Sequence, residues 1–74
     1  MECLYGEYLI VSRSNLLPNG RYSISCEISK YSNGIRKAAI FYDDNKIAML
    51  LKEESENESI NFGKNIIKND IIEF

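Results

Sequence analysis

Residues 22–42 decide the fold, and they read YSISCEISKYSNGIRKAAIFY. In the first half of this stretch, apolar and polar residues alternate: Tyr22, Ile24, Cys26 and Ile28 against Ser23, Ser25, Glu27 and Ser29. A two-residue period is typical of a strand with one face in the core and the other in water. We therefore predict a strand over 22–31, with the apolar set buried and the polar set solvated.

A tight turn follows at Asn33-Gly34. Asn-Gly between two such runs is a strong hairpin signal, because a type I′ turn needs positive φ at both central residues. The pattern predicts a return strand over Ile35–Tyr42. Both side-chain sets of this strand are largely apolar, so we expect it to be central in the sheet.

Two further strands are predicted on either side of this hairpin. Residues 8–14 are rich in apolar and β-branched side chains, and a reversal follows at Leu17-Pro18-Asn19-Gly20. Ile47–Leu51 is a short apolar run after the polar residues 43–46. Periodicity cannot distinguish it from the start of a helix, but the preceding turn residues favour a fourth strand.

A helix is predicted over 53–69, because acids crowd its first turns and lysines lie near its end. Ser55 and Glu58 have capping-box spacing, so a start at Ser55 is the alternative. The apolar stripe of this helix consists of Ile60, Phe62, Gly63, Ile66 and Ile67. A glycine within such a stripe indicates close approach of the helix to the sheet.

The chain is expected to leave the helix at Asn69. Beyond it, Ile71, Ile72 and Phe74 form a short apolar tail. This tail either adds an edge strand or covers the core.

These elements predict a single α+β domain over residues 1–74, with an antiparallel sheet of three or four strands packed against one C-terminal helix. The apolar share of 45% argues against intrinsic disorder. A chain of 74 residues buries only about 60% of its unfolded surface, so a partner subunit would help to stabilise it.

Location and redox state follow from the ends of the chain and its cysteines. The first residues lack a basic region, and the apolar runs are far shorter than the ~20 residues that a bilayer requires. We expect a cytoplasmic protein without a membrane partner. Cys3 and Cys26 are then expected to be reduced thiols rather than a disulfide.

Few residues suit catalysis, since the chain has no histidine to act as a base or a metal ligand. Two cysteines without histidine cannot form a structural zinc site within one chain. The remaining candidates are carboxylates, which we expect to be solvated: Asp43, Asp44, Glu53, Glu54, Glu56 and Glu58. No catalytic, metal or cofactor residue is assigned, and the chain is not expected to be an enzyme.

Charge is unevenly distributed. Residues 1–42 hold five basic and three acidic groups, whereas residues 43–74 hold four lysines and eight acids. The basic groups of the first part lie on or beside the strands: Arg13, Arg21, Lys30, Arg36 and Lys37. With neighbouring tyrosines they could hold phosphates and stack bases, which makes a weak nucleic-acid-binding domain the alternative hypothesis. The net charge of −2 favours plain solubilising charges instead.

The leading hypothesis is a small non-catalytic protein-interaction module, with a homo-oligomer or another protein as its partner. A single helix covers only one face of a sheet. Apolar groups on the other face, or an unpaired edge, then require a partner.

The order of strands, Asn-Gly turns and final helix, with Lys52-Glu53-Glu54 at the start of that helix, resembles small uncharacterised bacterial domains of the βββα type. It also loosely resembles the three-stranded DNA-binding modules of the AP2 and integrase-arm type. The second resemblance implies a sheet that reads the major groove. The chain has no tryptophan and no dense arginine sheet, so no residue takes a role from it.

Overall fold

The computed structural model describes residues 1–44 and 48–72. Its elements are β1 (Glu2–Tyr5), β2 (Tyr8–Ser12), β3 (Ser25–Ser32), β4 (Ile35–Tyr42) and α1 (Lys52–Lys68). The strands form one antiparallel sheet in the order β1-β2-β3-β4, and α1 packs on one face of it. The α+β fold predicted from the sequence is confirmed.

Both predicted reversals are present. Asn33 and Gly34 have φ of 54° and 77°, as a type I′ turn requires, and they join β3 to β4. In the reversal after β2, the Gly20 N–H donates to the Leu17 carbonyl at 3.0 Å. The Asn33-Gly34 turn fixes the register of β3 against β4, with Ser32 opposite Ile35.

The fourth strand lies at the N-terminus, and the prediction of a strand over 47–51 is wrong for residues 48–51. There, Met49 forms only an isolated bridge with Tyr22, and α1 begins at Lys52. Ile47 lies outside the described residues. The sheet instead gains β1, because the turn at Gly6, with φ of 62°, folds residues 2–5 back onto β2.

Strand lengths also differ from the prediction. β2 ends at Ser12 rather than at residue 14, and β3 begins at Ser25 rather than Tyr22. The residues between are held by other bonds, since Tyr22 pairs with Met49 and the Ser23 N–H donates to the Asn15 carbonyl. The connection from β2 to β3 is therefore longer and less regular than alternation alone suggested.

The predicted central position of Ile35–Tyr42 is also wrong, since β4 is an edge strand with no described strand beyond it. Apolar residues on both sides of a strand favour a central place only if both sides are covered. Here α1 packs mainly on β2 and β3 and also touches β1. β4 therefore has the composition of a central strand in an edge position.

The helix runs one residue earlier than predicted at both ends. Ser55 does not cap it, because Leu51 is the N-cap residue and makes no side-chain cap bond. The predicted stop at Asn69 is confirmed as the C-cap. Asp70 has φ of 54°, and the N–H groups of Asp70 and Ile71 donate back to the Ile67 and Ile66 carbonyls, as in a Schellman motif.

The apolar tail does not form a strand in its described part, 71–72, and Ile72 packs against the core. Phe74 lies outside the described residues. Of the two alternatives for the tail, covering the core is the one that Ile72 supports.

The core lies between α1 and one face of the sheet. Its buried members are Ile10, Cys26, Ile28, Ile60 and Ile66. Gly63 lies over Ile10 and Cys26: a Cβ at that position would be 2.6 Å from Ile10 Cγ2 and 3.2 Å from Cys26 Sγ. The close approach predicted at Gly63 is confirmed.

A buried serine cluster ties the first half of α1 to the connection between β2 and β3. Ser55 Oγ lies 2.6 Å from Ser14 Oγ and donates to the Ser23 carbonyl. Ser59 Oγ accepts a hydrogen bond from the Ser25 N–H at 3.0 Å and donates to the Ser55 carbonyl at 2.7 Å. These bonds satisfy backbone groups that the short strands leave without a ladder partner.

Both cysteines are free thiols, as predicted. Cys26 is fully buried, and burial raises the pKa of its thiol to about 11. A thiol with that pKa stays protonated at neutral pH and is a poor nucleophile. Cys26 therefore acts as a core residue.

Candidate functional site

The side of the sheet that faces away from α1 has no described helix or strand packed on it. Because side chains alternate along strands, it receives the residues that do not point into the core. We call this surface the open face; its members from β1 to β4 are Glu2, Leu4, Leu9, Val11, Ser25, Glu27, Ser29, Tyr31, Arg36, Ala38, Ile40 and Tyr42.

An ion-pair triad lies at the centre of the open face. Glu27 Oε1 accepts a hydrogen bond from Arg13 Nη2 at 3.2 Å, and Glu27 Oε2 accepts one from Arg36 Nη2 at 2.6 Å. The Glu27 side chain is 15% exposed, whereas the two arginine side chains are about half exposed. One carboxylate thus holds two cations, so the centre of the face has less free positive charge than the sequence suggests.

Two serines of β3 are buried although we predicted them in water. Ser29 lies on the open face next to Glu27 along β3 and is 4% exposed. The Ser25 hydroxyl donates to the Arg13 carbonyl at 2.6 Å. Alternation predicts the correct face for both residues but not their burial.

The paired arginines hold the pKa of Glu27 below its usual range, Arg36 more strongly than Arg13. A carboxyl with a lowered folded pKa adds stability above its unfolded pKa, and this stability is lost as the pH falls through the folded pKa. We expect urea unfolding between pH 7 and pH 3 to show this loss, and Glu27→Gln to remove this part of the pH dependence. An unchanged pH profile in Glu27→Gln would contradict the triad.

Large apolar side chains surround the triad. On the open face, Leu4 is 76% exposed, Tyr31 73%, Tyr42 58% and Ile40 52%. Leu4 lies on β1 at one edge, whereas Ile40 and Tyr42 lie on β4 at the other. The β4 side is more extensive, because Ala38 adds to it and β4 is twice as long as β1.

The outer backbone of β4 is the second part of the site. The Asp43 N–H donates to the Ile24 carbonyl, toward β3, and backbone groups alternate in direction along an antiparallel strand. The N–H and C=O groups of the even-numbered residues therefore point away from β3. We call these residues the free edge: Arg36, Ala38, Ile40 and Tyr42. No described strand pairs with them.

The structure does not bring the five predicted nucleic-acid contacts together. Arg13 and Arg36 lie on the open face with Glu27. Lys30 and Lys37 point to the helix side of the sheet, where Lys30 Nζ is 3.6 Å from Glu7 Oε1 and 5.3 Å from the centre of the Tyr8 ring. Arg21 lies outside the sheet and donates to the Ala48 carbonyl.

The carboxylates named in the sequence are also dispersed. Asp43 and Asp44 follow β4 and line a cleft of about 350 Å³ with Asn15, Ser23 and Tyr42. Glu53 and Glu54 are exposed in the first turn of α1. Within residues 1–44 and 48–72, no three acidic or cysteine side chains are grouped as a metal site requires. No helix of this part is long and apolar enough to cross a membrane.

Sequence reasoning missed the free edge because it placed β4 in the centre of the sheet. The signal was present in the composition: strand 35–42 is apolar on both sides, and one helix cannot cover the whole of a four-stranded sheet.

Comparison with protein-family models, curated proteins and solved structures finds no match for this chain. The resemblance to βββα domains stays a prediction.

Proposed function

We propose that this chain is a non-catalytic protein-interaction module whose partner docks on β4, along the free edge and the adjoining part of the open face. One observation carries the proposal: β4 is apolar on both sides, yet it is an edge strand whose outer backbone groups pair with no described strand. A partner strand would satisfy these groups and cover Ile40 and Tyr42. Addition of a strand to a sheet edge is a common mode of peptide and protein recognition.

The chemistry of the rest of the molecule supports binding over catalysis. The chain has no histidine, and the Cys26 thiol is buried with a raised pKa. The arginines of the open face are engaged by Glu27, which weakens the case for a polyanion as the partner. An apolar, hydrogen-bonding edge favours a protein partner.

The test is photo-cross-linking from the proposed surface. A benzophenone amino acid replaces Tyr42, which is aromatic and exposed, and in the control it replaces Asn61, which is exposed on α1. After irradiation in the cells that make the protein, we expect discrete protein adducts from position 42 and none from position 61. Adding Ile40→Lys should remove the adducts, because the new charge lies within the docking surface.

Two results would contradict the proposal. One is the same adducts from positions 42 and 61, which would indicate random collisions. The other is no protein adduct from position 42, or an adduct that Ile40→Lys leaves unchanged while circular dichroism shows the variant folded.

A further inference from the structure

We infer that the partner of the free edge is a second copy of this chain, and that two β4 strands pair antiparallel with Ala39 on the two-fold axis. The inference rests on the proposed function and specifies its partner. Two four-stranded sheets would then form one continuous sheet, with both helices on the same side.

Backbone geometry selects this arrangement. Odd-numbered and even-numbered residues of β4 point to opposite faces of the sheet. For both helices to lie on the same side, each even-numbered residue must therefore face an even-numbered residue of the partner. With Ala39 opposite the partner's Ala39, Arg36 faces the partner's Tyr42 and Ala38 faces the partner's Ile40. Every residue of the free edge then has a partner whose N–H and C=O point toward it. If the two strands are shifted by two residues, either Arg36 or Tyr42 faces a residue outside the partner's β4 and loses this pairing.

The side chains of β4 are complementary to themselves in this register. The strand has a basic start and an aromatic end, with two alanines between them. Antiparallel pairing places Lys37 beside the partner's Phe41 on the helix side of the sheet. On the open face, the stem of Arg36 lies beside the partner's Tyr42, while its guanidinium stays with Glu27. A cation beside an aromatic ring is a favourable cross-strand pair. The small Ala38 faces the large side chain of the partner's Ile40, so volume is also matched.

Charge spacing favours the same register. Each Lys37 is four residues from the partner's Lys37 along the strand, about 14 Å. That distance exceeds the Debye length of about 10 Å at 0.1 M salt, so the repulsion is screened. Pairing of the strands in parallel would put the two lysines about 5 Å apart.

The first test removes one outward N–H without breaking the β3–β4 ladder. Ala38→Pro does this, since the Ala38 N–H belongs to the free edge, and proline is accepted on edge strands where the N–H faces outward. The matched control is Leu4→Pro on β1. Since the Ser12 N–H donates to the Met1 carbonyl, odd residues of β1 bond to β2 and the Leu4 N–H points outward.

Sedimentation velocity from micromolar to millimolar protein should show a monomer–dimer equilibrium for the unaltered chain. Ala38→Pro is expected to raise the dimer dissociation constant roughly 100-fold, since symmetry removes the bond twice. Leu4→Pro should leave it unchanged. Circular dichroism checks that both variants retain the fold.

The second test reads the register and does not depend on proline. The variant Ala39→Cys is made in a Cys3→Ser background. In the proposed dimer, the two introduced thiols, one from each copy, form a non-hydrogen-bonded pair whose Cα atoms are about 4.5 Å apart, which is within disulfide range. Ala38→Cys is the control, because position 38 faces the partner's Ile40 and its equivalent in the second copy lies diagonally, about 8 Å away. We expect mild oxidation to give a covalent dimer with Ala39→Cys and not with Ala38→Cys.

This inference would be overturned if the protein were monomeric at every concentration and Ala39→Cys formed disulfide-linked dimers no faster than Ala38→Cys. It would also be overturned by a dimer that Ala38→Pro and Leu4→Pro weaken equally. The photo-adduct from position 42 separates this failure from failure of the proposed function. An adduct of twice the chain's 8.5 kDa supports a second copy. An adduct with a different protein overturns the second copy and leaves the module's function standing.

Discussion

Gly63→Ala is expected to destabilise the protein, although alanine is the better helix former. The added Cβ would lie 2.6 Å from Ile10 Cγ2, a branched methyl group of a fully buried side chain that has little room to move. Overpacking of this kind costs about 1–3 kcal/mol, and the gain in helix propensity returns about 1 kcal/mol. We expect a net loss of up to about 2 kcal/mol, measured by urea unfolding.

The same substitution should have the opposite sign when Ile10 is shortened. In an Ile10→Ala background the interfering methyl group is gone, so the new Cβ fills part of the cavity and the helix gains propensity. Gly63→Ala should then stabilise by about 1 kcal/mol. Asn61→Ala, on the exposed side of α1, is the control and should be slightly stabilising in both backgrounds. Equal effects of Gly63→Ala in both backgrounds would refute the close approach.

Ser59→Ala is expected to cost about 1–3 kcal/mol, because it leaves a buried backbone donor without a partner. Ser59 Oγ accepts the hydrogen bond of the Ser25 N–H, and both serines have no exposed surface. Urea unfolding gives the loss of stability, and hydrogen exchange should show the Ser25 amide losing protection. Ser32→Ala, at the half-exposed end of β3, should change stability by no more than about 0.5 kcal/mol. A neutral Ser59→Ala would show that the cluster does not hold α1 on the sheet.

The sequence was sufficient for the features that local chemistry determines. Asn33-Gly34 specifies its turn through backbone conformation, and the apolar alternation at Cys26 and Ile28 identifies the core side of β3. The helix and the close contact at Gly63 followed from the spacing of apolar residues. Each of these depends on neighbours in the chain, which the sequence displays directly.

The errors concern long-range neighbours. β1 is only four residues long, and the turn that joins it to β2 is not an Asn-Gly turn. No local signal in the sequence therefore distinguishes β1 from an irregular terminus. Residues 48–51 do not pair with β4, so β4 is left at the edge of the sheet. The hydrogen bond from Arg36 to Glu27 joins two strands, and composition cannot predict it.

The candidate site was partly visible in the sequence. Arg13 and Arg36 were identified as strand charges, but their common carboxylate partner requires the register of three strands. The sequence predicts an uncovered surface or an unpaired edge. It does not predict that β4 is this edge, because edge position is a property of the whole sheet.

Backbone amide exchange along β4 tests the central claim most directly. In a monomer, the amides of Ala38 and Ile40 face water and should exchange quickly, whereas those of Lys37 and Ala39 bond to β3 and are protected. The dimer predicts that protection at Ala38 and Ile40 rises with protein concentration while the outward Leu4 amide stays fast. Fast exchange at Ala38 and Ile40 up to millimolar protein would contradict it.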